Sequence, residues 1–399
     1  MRSFEKILKG VEVEWSNLGD TRFIEIANSG RTPVKASERI PGNVPYYGAN
    51  NIQDYVEGYT HDGVYVLIAE DGTQSLENYS IQWATGKFWA NNHVHVLHGT
   101  DFINSRFIFH YLKTVNFIPF LSGGDRAKLT KGKLVEIPIP VPCPDNPKKS
   151  FEIQNEIVRI LDTFTELTAE LTAELTARKN QYSYYREQFF SFNEDEVKRK
   201  SLGEIGEFQR GKRFVKDDLV LEGVPCIHYG EMYTHYGTWA NESKSFLSEE
   251  LVESKNLRVA EKGDIVVVAA GETIQDIGMG TAWLGNKGVV IHDACFSYRS
   301  PLNPKYVAYF TRTKQFHDQI KKYISSGKIS AINARGLEKV FILVPSPEEQ
   351  ERIVTILDKF DILTTSISEG LPKEIELRKK QYEYYRDILL TFPKHNIES

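Results

Sequence analysis

This chain writes one helical phrase twice. Gln154-Asn155-Glu156-Ile157-Val158-Arg159-Ile160-Leu161-Asp162-Thr163-Phe164 returns as Gln350-Glu351-Arg352-Ile353-Val354-Thr355-Ile356-Leu357-Asp358-Lys359-Phe360. A second phrase, Arg178-Lys179-Asn180-Gln181-Tyr182-Ser183-Tyr184-Tyr185-Arg186, returns as Arg378-Lys379-Lys380-Gln381-Tyr382-Glu383-Tyr384-Tyr385-Arg386. Each pair follows a different segment of globular character. The chain therefore reads as a duplicated scaffold presenting two unlike modules.

No Pro or Gly interrupts the sequence between Ser150 and Phe192, and Ile153, Ile157, Ile160, Leu161, Phe164, Leu167, Leu171 and Leu175 step by three and four. That spacing makes one apolar stripe and predicts a coiled-coil-like helix, on the order of 60 Å long. The second copy is predicted from about Glu348 to Leu390, with a kink at Gly370-Leu371-Pro372. The two stripes bury most simply against each other. Because the whole half repeats, a pseudo-twofold axis would set the helices antiparallel with a module at each end. Inside the first helix, Thr168-Ala169-Glu170-Leu171 is followed at once by Thr172-Ala173-Glu174-Leu175. An ordinary amphipathic helix turns Leu inward and Glu outward, and a tandem unit is also a length adjuster. One unit adds ~6 Å of helix, against ~3.4 Å for a DNA base pair. Thr168, Leu171, Thr172 and Leu175 mark that spacer repeat.

The division that follows is a lead-in over 1–19, a module over 20–149, a central helix and second lead-in over 150–203, a second module over 204–347, and a helix with tail over 348–399. Strands are predicted at Val64–Ala69, His93–Leu97, Asp264–Ala270 and Gly288–Ile291, and aromatic-rich helices near 104–116 and 304–323. The fold class is α+β: two mixed α/β domains separated by two long antiparallel coiled-coil-like helices with internal pseudo-twofold symmetry. Gly63 and Gly263, Trp83 and Trp283, and a Ser-Gly loop before each exit recur while the residues between them differ. One fold adapted to two ligands has that pattern.

Hydrophobic content of 41% with 12% aromatics can fill real cores. No apolar run approaches membrane-spanning length, the start Met1-Arg2-Ser3-Phe4-Glu5-Lys6 is no secretory signal, and Cys143, Cys226 and Cys295 are scattered. These features fit the cytoplasm. A net charge of -5 argues against a uniformly basic nucleic-acid binder but leaves room for local basic loops. Catalytic motifs are missing. There is no Pro-Pro pair for an adenine methyltransferase element, no Gly-Lys followed by Ser or Thr for a P-loop, and Gly278-Met279-Gly280 lacks a third glycine. Pro144-Asp145 has no acidic-x-Lys partner at the spacing a nuclease needs. His93 and His95 would share one face of a strand, as two metal ligands do, although a partly buried strand accounts for them and no third ligand is indicated.

Cations gather where each module ends: Arg126, Lys128, Lys131 and Lys133 in the first, Lys321, Lys322, Lys328 and Arg335 in the second. Such residues pair with phosphates, and their recurrence favours DNA over a merely solvated loop. For base readout, the candidates are Tyr46, Tyr47, Asn50 and Asn51 within Pro45–Asn51, and Lys212 with Arg213, since Asn, Lys and Arg match base edges. The tyrosines there serve equally well as packing residues. Tyr182, Tyr184, Tyr185, Tyr382, Tyr384 and Tyr385 cover more than one side of their helices. Some must face another surface, which makes them candidates for partner docking, with packing on the chain's own modules as the alternative.

The duplicated helices with Gln-Tyr-x-Tyr-Tyr-Arg, the Thr-Ala-Glu-Leu tandem and the two divergent modules resemble the specificity subunit of a type I restriction-modification enzyme, and the tandem points to the type IC group. The resemblance covers essentially the whole chain. It implies a subunit without catalysis, reading a split sequence in double-stranded DNA with one half-site per target-recognition domain. Two methyltransferase subunits and two ATP-driven restriction subunits would join it. S-adenosylmethionine, ATP and magnesium would belong to those partners, with no cofactor on this chain and no membrane involved. The rival readings are a self-sufficient enzyme with fused recognition domains, which the missing motifs disfavour, and a scaffold whose two modules bind something other than nucleic acid.

Overall fold

The duplicated phrases are helical, but the two copies are not alike. In the computed structural model, which describes residues 5–8, 10–123, 127–192, 197–271, 273–325, 327, 329–366 and 368–392, the first copy is one helix, Pro147–Phe189, of 43 residues and thus about 65 Å. Along the tandem repeat Leu171 and Leu175 are half-buried while Glu170 and Glu174 are exposed. The second copy is two helices, Pro347–Thr365 and Leu371–Leu390. The kink expected there is a complete break. Ser366 leaves helical conformation at ψ 127, and Gly370 sits at φ +83, where a Cβ would lie 2.5 Å from the Ile362 carbonyl oxygen. Pro372 then falls in the first turn of the next helix, where its missing N–H leaves nothing unsatisfied.

Packing divides the chain into two units, Met1–Leu171 with Glu374–Ser399, and Thr172–Lys373. In the first unit a six-stranded sheet runs in the spatial order Ile24–Ile26, Val94–Gly99, His61–Ala69, Ile81–Ala90, Pro41–Tyr47, Ile52–Val56. All its pairings are antiparallel except that of Pro41–Tyr47 with Ile81–Ala90. Val66 to Ala69 are buried on both faces, because strands flank them and helix Ser105–Leu112 belongs to the same core. The lead-in strand Val13–Asn17 pairs antiparallel with the exit strand Pro138–Pro142.

The second unit holds two five-stranded sheets. One is built around Ile265–Val268 and Cys295–Arg299, the other around Val224–Ile227 and Val289–Ile291. Its lead-in Lys198–Ser201 pairs with the exit strand Phe341–Val344 as in the first unit, with Ser201 opposite Phe341 where Asn17 stands opposite Pro138. The helix expected over 304–323 is Pro304–Phe310 and Lys314–Ile320, the second starting afresh at the cap of Thr313.

Candidate nucleic-acid interface

Each module is fastened to the first repeated phrase by the same polar clasp. Asn104 caps helix Ser105–Leu112 by accepting from the Arg106 and Phe107 amides, an arrangement that contributes about 1 kcal/mol. Its own N–H donates to Gln154 Oε1 at 2.7 Å and its Nδ2 to Asn155 Oδ1 at 2.8 Å. About two turns further along the repeated helix, Arg106 Nε and His110 Nε2 both lie 2.8 Å from Asp162 Oδ1. In the second unit Asn303 caps Pro304–Phe310, donates to Gln350 Oε1 at 2.9 Å and reaches Glu351 Oε2 at 2.8 Å. Lys305 Nζ and the Tyr309 hydroxyl each reach Asp358 at 2.7 Å. Even the ring beneath the cation recurs, Trp83 under Arg106 at 4.7 Å and Trp239 under Lys305 at 4.2 Å. Burial works to raise the Asp162 pKa, but the hydrogen bonds from His110 and Arg106 outweigh it and hold the carboxyl below its usual range. Burial lowers His110 despite Asp162, so the imidazole is neutral near pH 7, donating from Nε2 and facing the Tyr382 hydroxyl with Nδ1 at 3.1 Å.

The second repeated phrase meets the first in both units. Tyr385 stacks on Phe164 with centroids 5.2 Å apart, and Tyr185 stacks on Phe360 at 5.8 Å. The six candidate docking tyrosines therefore separate into classes. Tyr182 is buried against Phe360, its phenol pushed up to about 12 by burial. Tyr382 is half-buried beside His110, and Tyr185 and Tyr385 are half given over to stacking. Tyr184 and Tyr384 remain 61% and 51% exposed, each edge-on to the neighbouring tyrosine.

The candidate DNA contacts fare unequally. Tyr46 and Tyr47 are buried, a correction with a simple cause. Successive strand residues face opposite sides, and both sides of this strand are covered: Tyr46 stacks on Trp89 and under Arg39, and Tyr47 packs edge-on to Phe88. Neither can present its ring edge to a base. The Asn50 amide is occupied as well, donating to the Gly72 carbonyl at 2.8 Å and accepting from the Gln74 amide at 3.0 Å; Asn51 is exposed. Lys128 Nζ lies 3.0 Å from Glu70, which also takes Arg31 at 2.6 Å. Those hydrogen bonds overcome the upward pull of burial and hold the Glu70 carboxyl low. Lys133 pairs with Glu136 at 2.7 Å, and Lys131 is exposed in the same short helix. Lys212 donates to the Lys255 carbonyl at 3.3 Å, next to an exposed Arg213. Lys321, Lys322 and Arg335 are exposed and make no ion pair among the described residues. Arg126 and Lys328 lie outside the described residues. Of the spacer residues, Thr168 is half-buried and Thr172 exposed.

His93 and His95 do not share a strand face. His93 stands in the turn before Val94–Gly99 and pairs with Asp71. His95 is fully buried, with Nε2 2.7 Å from the Leu129 carbonyl and Nδ1 2.9 Å from Asn28. Among the described residues no group of three His, Cys, Asp or Glu side chains could hold a metal ion. The clasp itself escaped the sequence reading. Its signal was present as Asn-x-(Arg/Lys) ahead of each helix and Gln at the head of each repeat.

Residues 11–178 and 194–377 match a family model described as the type I restriction modification DNA specificity domain. A putative type I restriction enzyme specificity subunit of Haemophilus influenzae is 44% identical over 97% of this chain and 98% of its own. The EcoR124I/EcoR124II specificity subunit of Escherichia coli is 36% identical over 99% and 98%. The crystal structure of a type I restriction-modification S subunit from M. genitalium superposes with a TM-score of 0.56 at 15% identity, over 97% of this chain and 98% of that one. At that identity the likeness is one of fold.

Proposed function

The chain belongs to the type I restriction modification DNA specificity family and is a sequence-specificity subunit of that kind; we propose that it reads a split duplex target, one half-site per unit, across a spacer set by its helices. The subunit is itself non-catalytic and acts in assembly with methyltransferase and restriction subunits on DNA. The observation that carries the bipartite reading is the repeated clasp. Asn104–Gln154 and Asn303–Gln350 fix two modules of different surface in one way on one repeated helix, as a device with two unlike readers requires.

Tyr184 and Tyr384 stand exposed beside equivalent stacks. They support two equivalent docking places for methyltransferase subunits, and the family resemblance suggests two methyltransferase and two restriction subunits per chain. S-adenosylmethionine, ATP and magnesium are assigned to those partners. The Thr-Ala-Glu-Leu tandem supports the type IC grouping, and the cytoplasm is where duplex DNA and ATP occur together. No helix among the described residues is long and apolar enough to cross a membrane.

Base-resolved mapping of methylation by the assembled enzyme tests the ruler. Deleting Thr172–Leu175 removes ~6 Å of helix, so the spacer should shorten by about two base pairs with both half-sites unchanged. Altered half-sites would refute a purely metric role for the repeat.

A further inference from the structure

The two units share one frame, and at one place in that frame their chemistry is opposite. In the second unit the lead-in strand is Lys198-Arg199-Lys200-Ser201, with its three cations exposed. At the same register the first unit has Glu14-Trp15-Ser16-Asn17. Counted from the caps Thr130 and Asn333 of the short exit helices, Arg335 and Lys339 replace Gly132 and Glu136. In the preceding 3-10 turns, Lys321-Lys322-Tyr323 replaces Ile118-Pro119-Phe120. Among the second unit's substitutions these positions gather cations, with Glu338 facing the groove, Glu204 near Lys200 and Asp318 near Lys321.

These side chains border an open groove of about 850 Å³ lined by Tyr323, Arg335, Glu338, Lys339 and Phe341. Its cations lean on rings: Lys322 and Lys339 lie 5.0 and 5.5 Å from the Tyr323 centroid, and Arg199 4.6 Å from Phe341. Lys322, Lys339 and Arg335 make no ion pair among the described residues. A ring holds an ammonium group in place without cancelling its charge, whereas the first unit's Lys128 and Lys133 are neutralised by Glu70 and Glu136. Phe341 is 41% exposed, so the floor is apolar and the rim positive. A sugar–phosphate backbone has the complementary surface.

We propose that this cationic, aromatic-floored groove grips the duplex backbone on the second unit's side, a sequence-independent hold with no matching groove among the described residues of the first, where Lys131 stands exposed. The proposal rests on the reading of the chain as a DNA specificity subunit and adds to it a phosphate contact on that side.

The test uses the chain assembled with its methyltransferase subunits and measures affinity for a target duplex across a range of salt concentrations. Lys322→Gln, Arg335→Gln and Lys339→Gln together should lower the slope of log affinity against log salt by about 2 to 3, near 0.9 per lost phosphate. Trimming the duplex beyond one half-site should reproduce that loss in the parent and add nothing in the variant. Trimming the other end should affect both equally. The charge-keeping set Lys322→Arg, Arg335→Lys, Lys339→Arg should retain the parental slope, and Lys339→Glu, the residue the first unit carries, should lower it by about 1.

Specific binding with an unchanged slope would overturn the groove and leave the specificity reading intact. A slope that stays parental while methyltransferase subunits dissociate would make the groove a protein contact and also overturn it. Absence of sequence-specific binding by the parent complex would sink the specificity reading, and the groove with it.

Discussion

The two units fasten their modules at equivalent positions and present them differently. Asp162 and Asp358 each collect a cation and a second donor from the module's capped helix, and Phe164 and Phe360 each carry a tyrosine from the other repeated phrase. At the lead-in strand the same frame carries Glu14 in one unit and Lys198 in the other. Attachment is therefore what repeats, and exterior charge is what diverges. An apolar stripe alone tolerates sliding by a turn. Directed bonds to a buried Gln and a half-buried Asp do not, which is the argument for polar groups at these seams.

If attachment is equivalent, damaging it should cost the same in both units. Asp162→Ala leaves the buried His110 and the Arg106 guanidinium without their acceptor, and Asp358→Ala does the same to Lys305 and Tyr309. Each should destabilise its unit by about 2–3 kcal/mol, read from denaturant unfolding of the single variants. A large loss at one position and none at the other would break the equivalence.

The break in the second helix is the largest difference between the two copies of the repeated helix, and Gly370 is its most constrained residue. Gly370 holds φ +83, and an added Cβ would meet the Ile362 carbonyl oxygen at 2.5 Å. Gly370→Ala should therefore cost about 1–3 kcal/mol, while Ala at exposed Thr172 of the uninterrupted helix should change stability by less than about 0.5 kcal/mol. Equal effects would mean that the break is not under local steric control.

How much of this was legible in the sequence follows from how local each determinant is. The long helix was readable because its apolar stripe is a property of neighbouring residues, and so was the division into two modules. The break was foreseen only as a kink: Gly370 and Pro372 announce an interruption, but Ser366 turning to extended backbone is not written in its residue type. Tyr46 and Tyr47 stood as base-readout candidates because Asn50 and Asn51 follow them, with packing as the equal alternative. Their burial depends on Trp89 and Phe88 arriving from another strand. The clasp is more distant still, joining Asn104 to Gln154 and Asn303 to Gln350 across an intervening exit strand. Its residues are ordinary caps and helix heads until tertiary structure brings them together.

The tyrosines sharpen the contrast between fastening and presenting. Tyr184 and Tyr384 touch little of their own units, so converting both to Ala should leave the unfolding midpoint nearly unchanged. Titration with methyltransferase subunits should then show binding weaker by about tenfold or more, the range of an interfacial aromatic. Tyr182→Ala should do the reverse, since that ring is 8% exposed and stacked on Phe360. A docking loss confined to Tyr184 or to Tyr384 would show that only one unit receives a partner.

The smallest expected difference concerns the clasp position at which the first unit has His110 and the second Tyr309. Asp162, Tyr382, Arg106 and Lys113 face His110, and burial, which disfavours the imidazolium, wins over the attraction of Asp162. The folded-state pKa is therefore below the ordinary 6.5. Between those two values the unfolded chain binds more protons than the folded one, so stability falls as pH drops below 6.5. His110→Tyr, the residue of the second unit, should flatten that part of the profile by less than about 1 kcal/mol, leaving the contribution of buried His95 in place. Parallel profiles for parent and variant from pH 7 down to about 5 would mean that His110 is protonated as readily folded as unfolded, and that burial does not outweigh Asp162 in the clasp.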